Sequence, residues 1–245
     1  MKESNDPPTI RIGTWNTEWA KPGSPRGNII SDKLNATDYD VLCVTEGFAG
    51  ILPDEGHVID AGPDWGYPLR KGRRKVLLWS KLPWTPHTHA IGSEEFPEGR
   101  FVAGVTETPS GACLTVVGVC IPWSHPHVNT GSKDRKPWQD HKSWLAGFEK
   151  LRCQFVKSRT VILGDFNQRI PRTWVPHKVH DALLRAFEGF EFATAGKLDG
   201  EQTLIDHIAY TPDLVQDSLG IWHKKCAGGT RLSDHLGVWG DFGHR

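Results

Sequence analysis

The chain has 245 residues, 38% of them hydrophobic and 24% charged, which is enough apolar material for a sizeable core and too much for a disordered chain. Lys plus Arg and Asp plus Glu each number 29, so the net charge is zero. That excludes binding of a polyanion by bulk positive charge and leaves room only for a local basic site. The length is compatible with one or two domains and no linker interrupts it, so a single domain over 1–245 is expected, with 1–8 as a flexible N-terminal tail.

In chain order, Ile10 to Trp15 reads as a strand that runs into Asn16. A helix is expected near residues 28 to 37, then a strand at Val41 to Val44 that leads into Thr45 and Glu46. Further strands are expected at Val76 to Trp79, Phe101 to Val105 and Leu114 to Ile121, each β-rich and bounded by Gly, Pro, Asp or Ser. Trp138, His141, Trp144, Leu145, Phe148, Leu151 and Phe155 then recur at steps of three and four, the stripe of an amphipathic helix, with Pro137 in its first turn. Val161 to Leu163 runs into Gly164-Asp165, and Leu204-Ile205 into Asp206; a shorter helix over Val179 to Phe187 should turn Leu183, Leu184 and Phe187 inward. Many short strands with few helices predict an α/β fold: a two-layered β-sandwich flanked by helices.

The longest mostly apolar run, Leu114 to Trp123, is about half of what a bilayer crossing requires. The polar segment Met1 to Pro8 shows no secretory signal, so no membrane partner and a cytoplasmic location are expected. Five cysteines with no CxxC spacing read as reduced thiols rather than a disulfide framework.

Four tips carry the chemistry: Trp15-Asn16, Thr45-Glu46, Gly164-Asp165-Phe166-Asn167 and Ser233-Asp234-His235. Any one alone reads as a turn, because Asp and Asn at strand ends bond to their own backbone. If the tips converge, Glu46, Asp165 and Asp234 cannot share a small site without a cation. Oxygen ligands, including the amides of Asn16 and Asn167, favour a hard ion such as Mg²⁺ or Mn²⁺ that completes its shell with substrate phosphate.

These motifs, in this order from Ile10 to Trp239, resemble the endonuclease/exonuclease/phosphatase superfamily, whose deoxyribonuclease I-like fold is a four-layer α/β sandwich. The Gly-Asp-Phe-Asn tetrad is the most specific element and Ser-Asp-His the next. The resemblance implies a metal-binding role for Glu46, Asn16 and Asp234. It implies that Asp165 orients or deprotonates the attacking water, supported by Asn167, and that His235 stabilises the phosphate in a tautomer fixed by Asp206. A histidine bonded to a buried carboxylate should also have its pKa raised and stay protonated. His207, next to Asp206 on a strand, should face the other way.

One position departs from the family pattern. Where the family usually has His or Tyr at the end of the strand before the long helix, this chain has Val119-Cys120, and His125 or His127 is the candidate replacement. Substrate contacts are assigned to Arg74, His125 and Arg169. The Arg70-to-Lys75 cluster reads either as a solvated hairpin edge or as a phosphate clamp. Of eleven tryptophans, Trp123, Trp138 and Trp174 lie in or near loops with basic neighbours, where a base can stack. The expected activity is a Mg²⁺- or Mn²⁺-dependent phosphodiesterase, a nuclease acting on nucleic acid and on DNA before RNA. The alternatives are a phosphoesterase acting on a small-molecule or lipid-headgroup phosphate, or an inactive member serving as a binding module.

Overall fold

A computed structural model describes residues 9–86, 98–155, 158–196, 198 and 203–245. The proposed N-terminal tail lies outside them, as does the side chain of Phe155. The elements in order are β1 (Ile10–Asn16), α1 (Pro25–Asn35), β2 (Val41–Phe48), β3 (His57–Asp60), β4 (Arg73–Ser80), β5 (Thr85–Pro86), β6 (Phe101–Glu107), β7 (Cys113–Cys120), α2 (Gln139–Phe155), β8 (Thr160–Asp165), α3 (His177–Ala186), β9 (Glu191–Phe192), β10 (Asp206–Tyr210), β11 (Leu214–Trp222) and β12 (Gly237–His244). They form two six-stranded sheets, in the orders β11-β12-β1-β2-β4-β3 and β5-β6-β7-β8-β10-β9.

Each sheet is built around one parallel pair with a helical crossover: β1-α1-β2 in the first and β7-α2-β8 in the second. All other pairings are antiparallel. Period-two alternation then makes three cores and four layers. Ile10, Ile12, Val41, Val76, Val116, Val161, Leu163 and Ile208 fill the space between the sheets. Trp15, Leu42 and Leu77 face α1 on one outer side. Val117, Ile162 and Phe166 face Trp144, Phe148 and Leu183 of α2 and α3 on the other. The expected sandwich flanked by helices is therefore present, and the described residues contain no helix long and apolar enough to cross a membrane. All five cysteines are unpaired.

Several boundaries differ from the sequence reading. α1 starts three residues early because Ser24 caps it, accepting from Gly27 N, with Pro25 in the first turn. Pro137 precedes α2 instead of opening it, since Trp138 takes a left-handed φ of 66° and the helix begins at Gln139. Leu184 is 45% exposed, because Val179, Leu183 and Ala186 already complete the inward stripe of α3. Leu204-Ile205 is not a strand; Asp206 opens β10, which runs antiparallel to β8 with Asp206 opposite Asp165.

Candidate active site

The alternation that fills the inter-sheet core also builds the site. Ile10, Ile12 and Thr14 lead in steps of two to Asn16, Val161 and Leu163 to Asp165, and Tyr210 and Ile208 back to Asp206. The three polar groups thus sit where the apolar interlayer ends, and all are buried. Asn16 Nδ2 donates to Asp165 Oδ2 (3.0 Å), and Asn16 N donates to Asp206 Oδ1 (3.2 Å). His235 Nδ1 donates to Asp206 Oδ2 at 2.5 Å, while its Nε2 lies 3.7 Å from Asp234 Oδ1.

His235 lies on the segment before β12 and is fastened to β1 from both sides. Ser233 Oγ donates to Asn16 O (2.6 Å) and accepts from His235 N (3.1 Å), and Trp15 Nε1 donates to His235 O (3.2 Å). In the Gly-Asp-Phe-Asn tetrad each residue has its own task. Gly164 has φ 140°, and a Cβ there would lie 1.9 Å from Val119 O, so only glycine permits the close approach of β7. Phe166 is fully buried against Phe187 and His207. Asn167, at a left-handed φ of 53°, donates its backbone N–H to Asp165 Oδ1 (2.9 Å) and its Nδ2 to Ile121 O (2.9 Å). His207 faces the opposite side, buried between Thr194 and the carbonyl of Gln168.

Electrostatics follow from burial. Desolvation pushes Asp165 well above the usual carboxylate range, opposed by the His235 charge and reinforced by Asp206 and Glu46. It raises Asp206 in the same way, against His235. Burial also works against an imidazolium at His235, but the charges of Asp206, Asp165 and Asp234 outweigh it and raise the ring to about 10.

Glu46 stands at the left-handed φ of 48° and accepts from Lys75 Nζ at 2.5 Å. Asp165, Asp206 and His235 bring possible ligand atoms within 4.8 Å of one another, yet the two oxygens of Asp206 and Nδ1 of His235 already hold hydrogen bonds. Glu46, Asp165, Asp206 and Asp234 are four carboxylates, and their direct ion-pair partners among the described residues are Lys75 and His235. Glu46, Asp234 and Asn16 line the cleft with oxygen donors, the donor type that a hard divalent ion takes.

The cleft above this cluster has a volume of about 610 Å³ and includes Asn16, Glu46, Asp165, Asn167, Asp234 and His235 among its lining residues. Asp206 lies beneath them, against His235. The three assigned substrate residues do not line it. Alternation along β4 sends Arg73 and Lys75 to the cleft and Arg74 to Asp60, which accepts from its Nε at 2.8 Å. His125 is held by Ser124 Oγ (2.7 Å) and packs near Trp123, which does line the cleft. Arg169 donates to Thr203 O and borders a smaller neighbouring cavity beside Asp206 and His235. Of the loop tryptophans, Trp138 and Trp174 border another small cavity with Arg169.

Sequence reasoning missed Arg100, Trp19, Trp65 and Tyr67, all of which line the cleft. Arg100 is buried and donates to Cys120 O at 3.2 Å, beside the thiol that burial pushes up to about 12. A lone arginine before an apolar strand carries no sequence signal, and the three aromatics sit in irregular segments without periodicity.

No curated protein matches this chain at the sequence level. Solved structures do. An AP endonuclease from Archaeoglobus fulgidus aligns with TM-score 0.68 and 19% identity over 94% of this chain and 98% of its own. The human Nocturnin catalytic domain with bound sulfate gives 0.68 and 16% over 97% and 94%. A humanized TDP2 from D. rerio gives 0.68 and 13% over 96% and 99%. The family model for the Endonuclease/Exonuclease/phosphatase family matches residues 13–235. The chain belongs to that family of phosphoesterase hydrolases.

Proposed function

We propose that the protein is a metal-dependent phosphodiesterase that hydrolyses nucleic acid, DNA in preference to RNA, with Mg²⁺ or Mn²⁺ as its ion. The observation that carries this reading is the hydrogen-bonded set Asn16–Asp165 and Asn16–Asp206–His235 at the floor of a cleft whose wall carries Arg70, Arg73, Lys75 and Arg100. The likeness to an AP endonuclease favours DNA among the polyanions.

Glu46, with Asp234 and Asn16, would hold the ion, which when bound supplies a Lewis acid for the phosphate oxygens. Asp165 is held on both oxygens, by Asn16 and by the Asn167 amide, which fixes its direction toward a water in the cleft. Its raised pKa suits a group that takes a proton near neutrality. His235, protonated and with Nδ1 committed to Asp206, presents Nε2–H to the phosphate, where negative charge grows as the water oxygen bonds to phosphorus and the P–O bond to the leaving oxygen breaks, that oxygen taking its proton from solvent. Asp206 fixes the ring and its charge. The basic wall holds flanking phosphates in register.

The test is cleavage of end-labelled single-stranded, double-stranded and abasic-site DNA with Mg²⁺, Mn²⁺ or EDTA, wild type beside Asp165→Ala and His235→Ala, each checked for fold by circular dichroism. Cutting that needs the ion and is lost in both folded variants is expected. Retained activity in both, or hydrolysis of a generic phosphoester with no DNA cut, would overturn the reading.

A further inference from the structure

The two loops that flank the cleft come from different sheets and lock together at one end of it. Residues 61–72 connect β3 to β4, and residues 121–138 connect β7 to α2. The Tyr67 ring stacks on the His127 imidazole with centroids 4.7 Å apart. The Tyr67 hydroxyl is 2.9 Å from Thr130 Oγ1 and accepts from His127 N at 3.2 Å. His127 Nδ1 is in turn held by the Ser132 amide (3.3 Å) and hydroxyl (3.2 Å). Gly131 fits beneath this bridge only as glycine. It has φ 70°, and a Cβ would meet His127 Nδ1 at 2.3 Å and Tyr67 Cε1 at 3.3 Å. Tyr67, Thr130 and Gly131 all line the cleft, so the bridge bounds the same space that the carboxylates open into.

Inside that bounded space the wall is aromatic as well as basic. Trp19 stacks on Trp65 at 5.4 Å, and the Arg73 guanidinium lies over Trp19 at 4.6 Å, so this face is already packed and rigid. Trp123 is different: it lines the cleft and remains 40% exposed. A half-exposed indole at a cationic cleft is a platform for a nucleobase, whose flat face any base supplies. The volume of about 610 Å³ falls in the range of small-ligand pockets, and the bridge stands among the walls of that space.

We infer that the cleft takes an unpaired nucleotide at a strand end, its base on Trp123 and its path blocked by the Tyr67–His127–Thr130 bridge, so that the enzyme processes ends and does not cut within closed strands. This deepens the nuclease reading and rests on it. The closing experiment compares a linear single-stranded DNA with the same sequence as a covalently closed circle and as an internal stretch of a closed duplex, with Mg²⁺ or Mn²⁺ present. Hydrolysis of bis(p-nitrophenyl) phosphate is followed in parallel.

The expected result is ordered shortening of the linear strand from one end while the circle and the closed duplex stay intact. Trp123→Ala should raise KM for the linear strand by about five- to 150-fold, the equivalent of one lost base stack. Tyr67→Ala combined with Thr130→Ala should raise the ratio of circle nicking to linear cleavage. Nicking of the circle by the wild type at the linear rate would overturn the inference and leave the nuclease reading standing. Hydrolysis of the p-nitrophenyl ester with no cutting of any of the DNA substrates would instead overturn the nuclease reading itself, and this inference with it.

Discussion

The two parallel units, β1-α1-β2 and β7-α2-β8, place their strand ends side by side at the same rim and furnish them differently. The first carries Asn16 at the end of β1 and Glu46 two residues before the end of β2, two oxygen donors held by a backbone turn and by Lys75. The second ends in Asp165 and Cys120, a carboxylate next to a buried thiol that has no charge to offer. On the proposed mechanism one sheet would supply the ion-binding side and the other the proton-handling side, and His235 is fastened to the first while it bonds to the second. The proposed reaction centre therefore depends on the registry of the two sheets more than on either sheet alone.

The strongest way to break that division is at Asp165. Asp165→Asn should lower kcat by about 10²–10⁴-fold, the range of a lost general base, while leaving the fold in place by circular dichroism. Removing Glu46 as Glu46→Gln should instead appear first as weaker metal binding by isothermal titration, with Asn16 and Asp234 left to hold the ion. Next in size is Gly164→Ala. The Cβ clash with Val119 O and the φ of 140° should cost roughly 1–3 kcal/mol in strain, read by denaturant unfolding, and should loosen the second sheet where it meets the site.

The pH dependence of stability reads the hold of the second sheet on His235. His235 has its pKa raised from 6.5 to about 10, so the folded state binds a proton that the unfolded chain releases. The stability this contributes is fully present below pH 6.5 and is lost as pH rises toward about 10. The melting temperature of the metal-free protein should fall across that window, and the fall should flatten in His235→Gln. Smaller still is the contrast along β4. Arg73→Ala should raise KM by severalfold and Arg74→Ala should leave it nearly unchanged, because Arg74 is turned to Asp60 and to the carbonyl of Arg73 and does not line the cleft. Cys120→Ala should have the least effect on kcat, since the thiol stays protonated and Arg100 is held by the carbonyl of that residue, which alanine keeps.

Much of this was readable in the residues. Asn16, Asp165 and Asp206 each continue an apolar strand in phase, so their shared direction follows from period two once the sandwich is accepted. The sequence did not say that Asp206 begins its strand, because antiparallel pairing with β8 puts a strand start beside a strand end. Arg74 shares the phase of the interlayer residue Val76, so strand alternation alone does not mark Arg73 and Lys75 as the residues that reach the cleft. The long strand β11 escaped notice because its residues are half-buried and a register shift between Gln216 and Ser218 breaks its alternation. The aromatic wall was out of reach, since Trp19, Trp65 and Tyr67 meet only through loops joined in space.

The buried hydrogen-bonded set also bears on how this protein can change over generations. Its carboxylates are held at the end of an apolar interlayer, where burial disfavours their charge. Replacing a whole buried ion pair with well-packed neutral side chains is often neutral or favourable for a fold, whereas removing one partner leaves the other charge uncompensated. Selection for heat tolerance alone would therefore have to change Asp206 together with His235, and a single step at either position is resisted by stability as well as by any demand for the reaction.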